Sequence, residues 1–260
     1  MRTLFCSLAL LLALPALAES PDPTAVMQAV RDRDEGRDRR SEVTLEQTMA
    51  DGFVRERNLL MHEKEYGQER KSTVYFTAPS DTAGTGILMY SYPEATARED
   101  DQWLYLPALR KTRRIASNAK DGPFLGTDFS FADIERMRVG DYQYRYLRSE
   151  ELNGRPVHVL EASTADGLEN PRTGYSRRVV FIDQERHLIL RDEFFRGGRQ
   201  IKTFEVLGVA QIEGYWTVTE SLMSNLVEGG STRLVRAQAD YNLDLSDNDF
   251  TERALRNGIR

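Results

Sequence analysis

Cysteine is almost missing from this 260-residue sequence, and the one example, Cys6, lies within the first eighteen residues. The rest of the chain can form neither a disulfide nor a thiolate metal site, so in an oxidising compartment it would be held by its core alone. Histidine is scarce too: His62, His158 and His187 are isolated and form no HExxH pattern, which removes the usual mark of a zinc hydrolase. There is no GxSxG nucleophile elbow, and Gly84-Thr85-Gly86 precedes a strand-like run instead of a helix, so it reads as a turn. Asp244, Asp247 and Asp249 lack the glycine and terminal glutamate of a calcium loop, and helix capping accounts for them better. No catalytic residue, metal or cofactor is expected. Positive charge is also in deficit: 35 Lys and Arg face 41 Asp and Glu, a net −6 spread along the chain, which argues against nucleic acid as a partner. Beyond the N-terminus no apolar run approaches the roughly 20 residues of a membrane-spanning helix.

What is present begins with an export signal. Met1-Arg2 is a short basic start, residues 4–17 are almost wholly apolar, and Ala16-Leu17-Ala18 offers small residues at the spacing a signal peptidase needs. Residues 1–18 are therefore expected to be a cleaved Sec-type signal, leaving 19–260 as a single soluble domain. Asp22 and Pro23 suit an N-cap and first helical residue, followed by Val26, Met27, Ala29 and Val30 as an apolar stripe.

From Ser41 onward the helical period disappears. Thirteen β-like runs follow, at 42–50, 54–66, 71–77, 86–92, 102–106, 111–116, 142–150, 155–163, 175–182, 187–195, 201–209, 216–225 and 233–243. Turn signals such as Asn153-Gly154, Gly197-Gly198, Glu213-Gly214 and Gly229-Gly230 separate many of them. Strand after strand with short connections predicts an antiparallel meander. Several runs are apolar on both faces, for example Ile87-Leu88-Met89-Tyr90 and Trp103-Leu104-Tyr105-Leu106, so both faces need a cover. Periodicity alone fits a curved, incompletely closed barrel or a sandwich equally. The strand pattern breaks between 117 and 139, where Phe131, Ile134 and Met137 fall at helical spacing with Asp128 or Ser130 available as cap. Asp249 and Glu252 resemble a capping box before Leu255.

The most distinctive stretch runs from Tyr92-Pro93 through Asp101-Gln102-Trp103-Leu104-Tyr105-Leu106-Pro107-Ala108-Leu109-Arg110-Lys111-Thr112-Arg113-Arg114-Ile115 to Gly126-Thr127-Asp128-Phe129-Ser130-Phe131-Ala132-Asp133-Ile134-Glu135. It resembles the outer membrane lipoprotein-sorting proteins, a family of LolA-like periplasmic proteins, and the resemblance extends over essentially all of 19–260. The resemblance implies an α+β fold: a LolA/LolB-like half-barrel, an antiparallel sheet curved into an incompletely closed barrel, with short helices as a lid. It further implies a periplasmic, non-catalytic carrier whose apolar cup holds a lipid or a lipoprotein acyl chain. A membrane protein partner is implied as well, an RND-type transporter or an outer-membrane acceptor, with peripheral membrane contact. A sensor or adaptor that binds a membrane protein and uses lipid as effector is the alternative, and a lipid or glycan hydrolase a third reading that the missing nucleophile and metal patterns disfavour.

On this reading the candidate cavity and lid residues are Leu88, Tyr90, Trp103, Tyr105, Phe129, Phe131, Ile134 and Met137. Ordinary core packing explains each of them equally well. Arg110, Arg113 and Arg114 form a candidate polar rim for a phosphate head group or a partner. The alternative is a solvated hairpin whose charges keep an edge from pairing, with Asp121, Asp128 and Asp133 as counter-ions.

Overall fold

The computed structural model describes residues 20–96 and 98–258; the expected signal, 1–18, lies outside them. Asp22 accepts the Thr24 amide and Pro23 opens helix α1 (Pro23–Arg31), whose Val26 and Met27 are buried. The strands follow as β1 (Asp38–Thr48), β2 (Val54–Tyr66), β3 (Glu69–Ala78), β4 (Gly86–Ser91), β5 (Asp101–Leu106) and β6 (Lys111–Arg114). After a crossing segment come β7 (Gln143–Leu152), β8 (Arg155–Ser163), β9 (Arg177–Asp183), β10 (Ile189–Arg196), β11 (Arg199–Ile212), β12 (Tyr215–Asn225) and β13 (Ser231–Tyr241), then helix α2 (Glu252–Asn257). Each of the thirteen runs read from the sequence corresponds to one strand.

All thirteen strands form one antiparallel sheet in the order β6-β5-β4-β3-β2-β1-β13-β12-β11-β10-β9-β8-β7. The first strand and the last are paired at its centre, from Arg39↔Tyr241 to Thr48↔Ser231. The chain therefore walks outward to one free edge, β6, and must then travel to the opposite free edge, β7, before walking back. Bulges at Glu42/Val43, Asn58/Leu59 and Phe194/Phe195 add bend to the native twist and curl the sheet into a half-barrel. Gly208 sits at a further irregularity in β11, where an added Cβ would stand 2.7 Å from the Thr219 hydroxyl; only glycine permits so close an approach.

Topology thus dictates the lid. The segment 115–142 joins the two free edges by crossing the concave face, and its aromatic residues pack there. It is not the helix that the spacing of Phe131, Ile134 and Met137 predicts. Ser130 and Asp133 do exchange the reciprocal bonds of a cap, Ser130 N to Asp133 Oδ2 at 2.7 Å and Asp133 N to Ser130 Oγ at 3.1 Å. The turn they start is not propagated, because Asp133 is also drawn to Tyr175 and Lys202 and the Phe131 carbonyl accepts from Gln102 Nε2 at 2.9 Å. The lid is a chain of bends and single 3₁₀ turns. At the C-terminus, α2 is capped by Thr251, whose hydroxyl accepts the Ala254 amide, where Asp249 was the expected cap.

Candidate functional site

The concave face is apolar over β1–β5 and β10–β12. Val43, Leu45, Leu59, Val74, Phe76, Ile87, Met89, Phe194 and Met223 make its floor, and the lid contributes Phe124, Phe129 and Phe131, each at least nine-tenths buried against it. Phe124 lies between Phe76 and Phe131, with ring centroids 6.2 and 5.7 Å away, the second contact edge-to-face. Phe129 meets Phe204 at 6.5 Å. The cup is filled by its own lid.

Of the candidate residues, Phe129, Phe131 and Ile134 join this cluster, and Met137 packs beside α1 with Val26, Met27 and Val139. Leu88, Tyr90, Trp103 and Tyr105 are not with them. They point to the convex face, where they pack against Leu245, Phe250 and Leu255 of the C-terminal segment, and the Tyr90 hydroxyl donates to the Phe250 carbonyl at 2.6 Å. Their neighbours Ile87, Met89 and Leu104 are the ones turned to the concave side. In a strand one position decides the face, and with both faces apolar the sequence did not mark which was which.

The proposed rim is divided as well. Arg114 binds Asp101 through its Nε at 2.7 Å, whereas exposed Arg110 and Arg113 have no ion-pair partner among the described residues. Arg110 occupies the left-handed region, φ +49°, at the β5–β6 turn. The aspartates expected as counter-ions serve elsewhere: Asp121 lies 3.7 Å from Arg196, Asp128 is bonded to Thr232, and Asp133 to Tyr175 and Lys202.

Polar interactions that join residues distant in sequence tie the lid down. Lys120, with its side chain 1% exposed, contacts Glu135 at 2.5 Å and donates to the Asp100 carbonyl at 2.7 Å. Glu135 also takes Arg172 at 2.5 Å, and Arg172 in turn grips Asp141. Arg138 reaches Asp100 at 3.2 Å and Arg136 reaches Glu65 at 3.2 Å. Glu94 accepts the Val139 and Gly140 amides, each at 2.8 Å, together with Arg31 of α1. The lid tip is held by Gln47, whose Nε2 donates to the Gly126 carbonyl at 2.6 Å, and by Thr232, which accepts the Asp128 amide and donates to its carboxylate at 2.7 Å.

Electrostatics divides the concave face. At one end Glu35, Arg39, Glu63, Glu65 and Arg70 form a compact network; burial opposes its charge, yet Arg70, Arg39 and Arg33 together hold Glu35 down to about 2. Beneath the lid the balance reverses. Burial pushes Asp192 up to about 6 despite its contact with Arg178, and it raises Glu135 despite Lys120 and Arg172. Two clefts flank residues 135–137. One of ≈ 190 Å³ has Phe194, Phe204 and Met223 of the sheet and Phe129 of the lid on its apolar side and Arg136, Arg138, Arg172, Arg178, Asp141 and Asp192 on its charged side, and another of ≈ 260 Å³ lies towards α1. Among the described residues no group of three or more His, Cys, Asp or Glu is placed to hold a metal ion, and no helix is long and apolar enough to cross a membrane.

An open, strongly curved antiparallel sheet whose concave apolar face is covered by a crossing segment is the LolA-like architecture. A LolA superfamily protein from Nitrosomonas europaea matches it with a TM-score of 0.68 at 22% identity, over 90% of this chain and 99% of that one. A DUF1329 family protein from Desulfovibrio piger matches with a TM-score of 0.83 at 28% identity, over 90% and 100%. An outer membrane lipoprotein-sorting protein domain from Vibrio parahaemolyticus matches with a TM-score of 0.82 at 31% identity, over 90% and 98%. A family model described only as "Uncharacterized protein" covers residues 68–257, and no curated protein matches the chain. The chain belongs to the LolA-like outer membrane lipoprotein-sorting family.

Proposed function

We propose that the protein is a non-catalytic periplasmic carrier, exported by its N-terminal signal, that takes a lipid or the acyl chain of a lipoprotein onto its concave face and hands it to a membrane partner. The observation that carries this reading is the apolar floor covered by Phe124, Phe129 and Phe131. An acyl chain, at roughly 0.8 kcal/mol for each methylene kept from water, needs such a container to cross an aqueous space. The cleft of ≈ 190 Å³ is smaller than the roughly 300–1,000 Å³ of ordinary ligand sites, so loading exchanges lid aromatics for cargo instead of filling a standing hole. Such exchange lets a carrier both bind and release. An RND-type transporter or an outer-membrane acceptor is the proposed partner class.

Native mass spectrometry of the protein taken gently from its own periplasm, with organic extraction, tests the proposal. A stoichiometric lipid or acylated peptide is the expected result. A reproducibly empty protein that co-purifies with one membrane protein would replace the carrier by a sensor or adaptor, and turnover of an ester or glycoside abolished by one polar substitution would replace it by an enzyme.

A further inference from the structure

Four of the most exposed large apolar side chains among the described residues sit on two touching turns. Phe53 (56% exposed) and Val54 (56%) follow the β1–β2 turn, and Leu226 (48%) and Val227 (54%) open the β12–β13 turn. The turns are neighbours because β1 pairs with β13 up to Thr48↔Ser231, and a Cβ on Gly229 would stand 3.6 Å from that of Ala50. Leu109 and Leu168 are exposed on other turns at the same end of the strands. The opposite end is different in kind, with turns made of Gly67-Gln68, Asn153-Gly154, Gln184-Glu185-Arg186 and Glu213-Gly214. Among the described residues, six of the eight exposed large apolar side chains lie at one end of the half-barrel; Leu243 lies at the other, just after β13, and Leu207 within β11.

Side-chain oxygens within the two turns satisfy several of their amides, as Asp183 does for Glu185 and Arg186 at the opposite end. The Phe53 amide donates to Asp51 Oδ1 at 2.9 Å, and the Val227 and Glu228 amides donate to Asn225 Oδ1 at 3.1 and 3.0 Å. The same hairpins hold the lid tip: Gln47, which binds the Gly126 carbonyl, precedes the first turn, and Thr232, which binds Asp128, follows the second.

We propose that these two turns are a docking surface for a lipid bilayer, and that seating them loosens the Gln47 and Thr232 bonds so that the concave face opens toward the membrane. This rests on the carrier reading above. A bilayer is the occupant because the apolar side chains project from separate turns, and a lipid surface meets such tips without a matched groove. Residues 49–54 and 225–230 contain no Lys or Arg, only Asp51 and Glu228, and exposed cations at this end, among them Arg55, Arg110 and Lys111, lie outside the two turns, so these turns bind by apolar insertion and not by attraction to anionic head groups.

Flotation of the full mature chain with phosphatidylcholine vesicles tests the proposal. The wild type is expected to float equally at low and high salt, and Phe53→Ser/Leu226→Ser to lose at least tenfold in partitioning with an unchanged melting temperature. With vesicles present, hydrogen exchange of residues 124–131 should quicken in the wild type and not in the variant. No flotation, flotation that requires phosphatidylglycerol and vanishes in salt, flotation only with vesicles carrying membrane proteins, or an unaffected variant would each overturn it. Unchanged exchange at the lid tip would overturn its coupling to docking. Binding of a fluorescent fatty acid without vesicles is measured in parallel: fatty-acid binding without flotation refutes docking alone, and flotation without fatty-acid binding refutes the carrier reading.

Discussion

If the lid is a plug that cargo displaces, weakening the plug should strengthen cargo binding. Phe124, Phe129 and Phe131 are 4%, 8% and 9% exposed. At about 1.5–3 kcal/mol for each buried side chain, exposing all three costs about 5–9 kcal/mol. A chain of about 16 methylenes recovers at most about 13 kcal/mol on burial, so the net driving force is only several kcal/mol. Phe131→Ala removes about 2 kcal/mol of the opposing term and should tighten binding of a fluorescent 16-carbon fatty acid by about 30-fold. The assay is a fluorescence titration, with thermal unfolding of each protein alone to establish that the variant is folded. The variant should melt lower, since a cavity replaces a core ring. Weaker binding by a folded Phe131→Ala protein would refute the reasoning, because Phe131 would then be a wall of the binding site and not its occupant.

Lys120→Met should destabilise the protein by about 3–5 kcal/mol in urea titrations, because it deprives buried Glu135 of one partner and leaves Arg172 as the other; a loss under 1 kcal/mol would mean the pair is dispensable. Asp192 has a folded-state value of about 6, above its unfolded one, so between about pH 4 and 6 the folded state binds more protons and this group makes the protein more stable as pH falls through that window. Asp192→Asn should remove that contribution, at most about 3 kcal/mol, and flatten the unfolding free energy against pH there; a wild type that loses more stability than the variant between pH 6 and 4 would contradict the assignment. Trp103→Asp should unseat the C-terminal segment, read as faster hydrogen exchange over residues 245–257, and leave fatty-acid binding unchanged; impaired binding with a protected C-terminus would return Trp103 to the cavity.

The legible part of this fold was its alternation. Thirteen β-like runs, most of them bounded by turn residues, became thirteen strands, and the break at 117–139 marked the crossing segment. The face on which β4 and β5 meet the lid was not legible, because Ile87 and Met89 are as apolar as Leu88 and Tyr90. The signal that would have chosen between them lay far away in Leu245, Phe250 and Leu255, an apolar set that needs its own seat on the opposite face. The helical spacing of Phe131, Ile134 and Met137 misled for a related reason: these side chains answer to two clusters, the cup and the α1 side, and not to one helix stripe. The ion pairs of the lid were hidden as well, since Arg136 finds Glu65 and Arg172 finds Glu135 only after the sheet has curled.

Those pairs divide the lid into parts held by different kinds of contact. Aromatic packing is non-directional and can be replaced by any hydrocarbon that enters, whereas a buried ion pair is replaced only by something that satisfies both charges. Residues 124–131 are held mainly by the first kind of contact, with Gln47 and Thr232 at the tip; residues 133–141 are held by the second, through Lys120, Arg172, Asp100 and Glu94. An acyl chain should therefore lift the tip and leave the base clamped to α1 and the β4–β5 connection. Hydrogen exchange with saturating fatty acid should show changed protection over 124–131 and none over 133–141. If both parts exchanged faster together, the ionic base would not be an anchor, and the lid would leave the sheet as one unit.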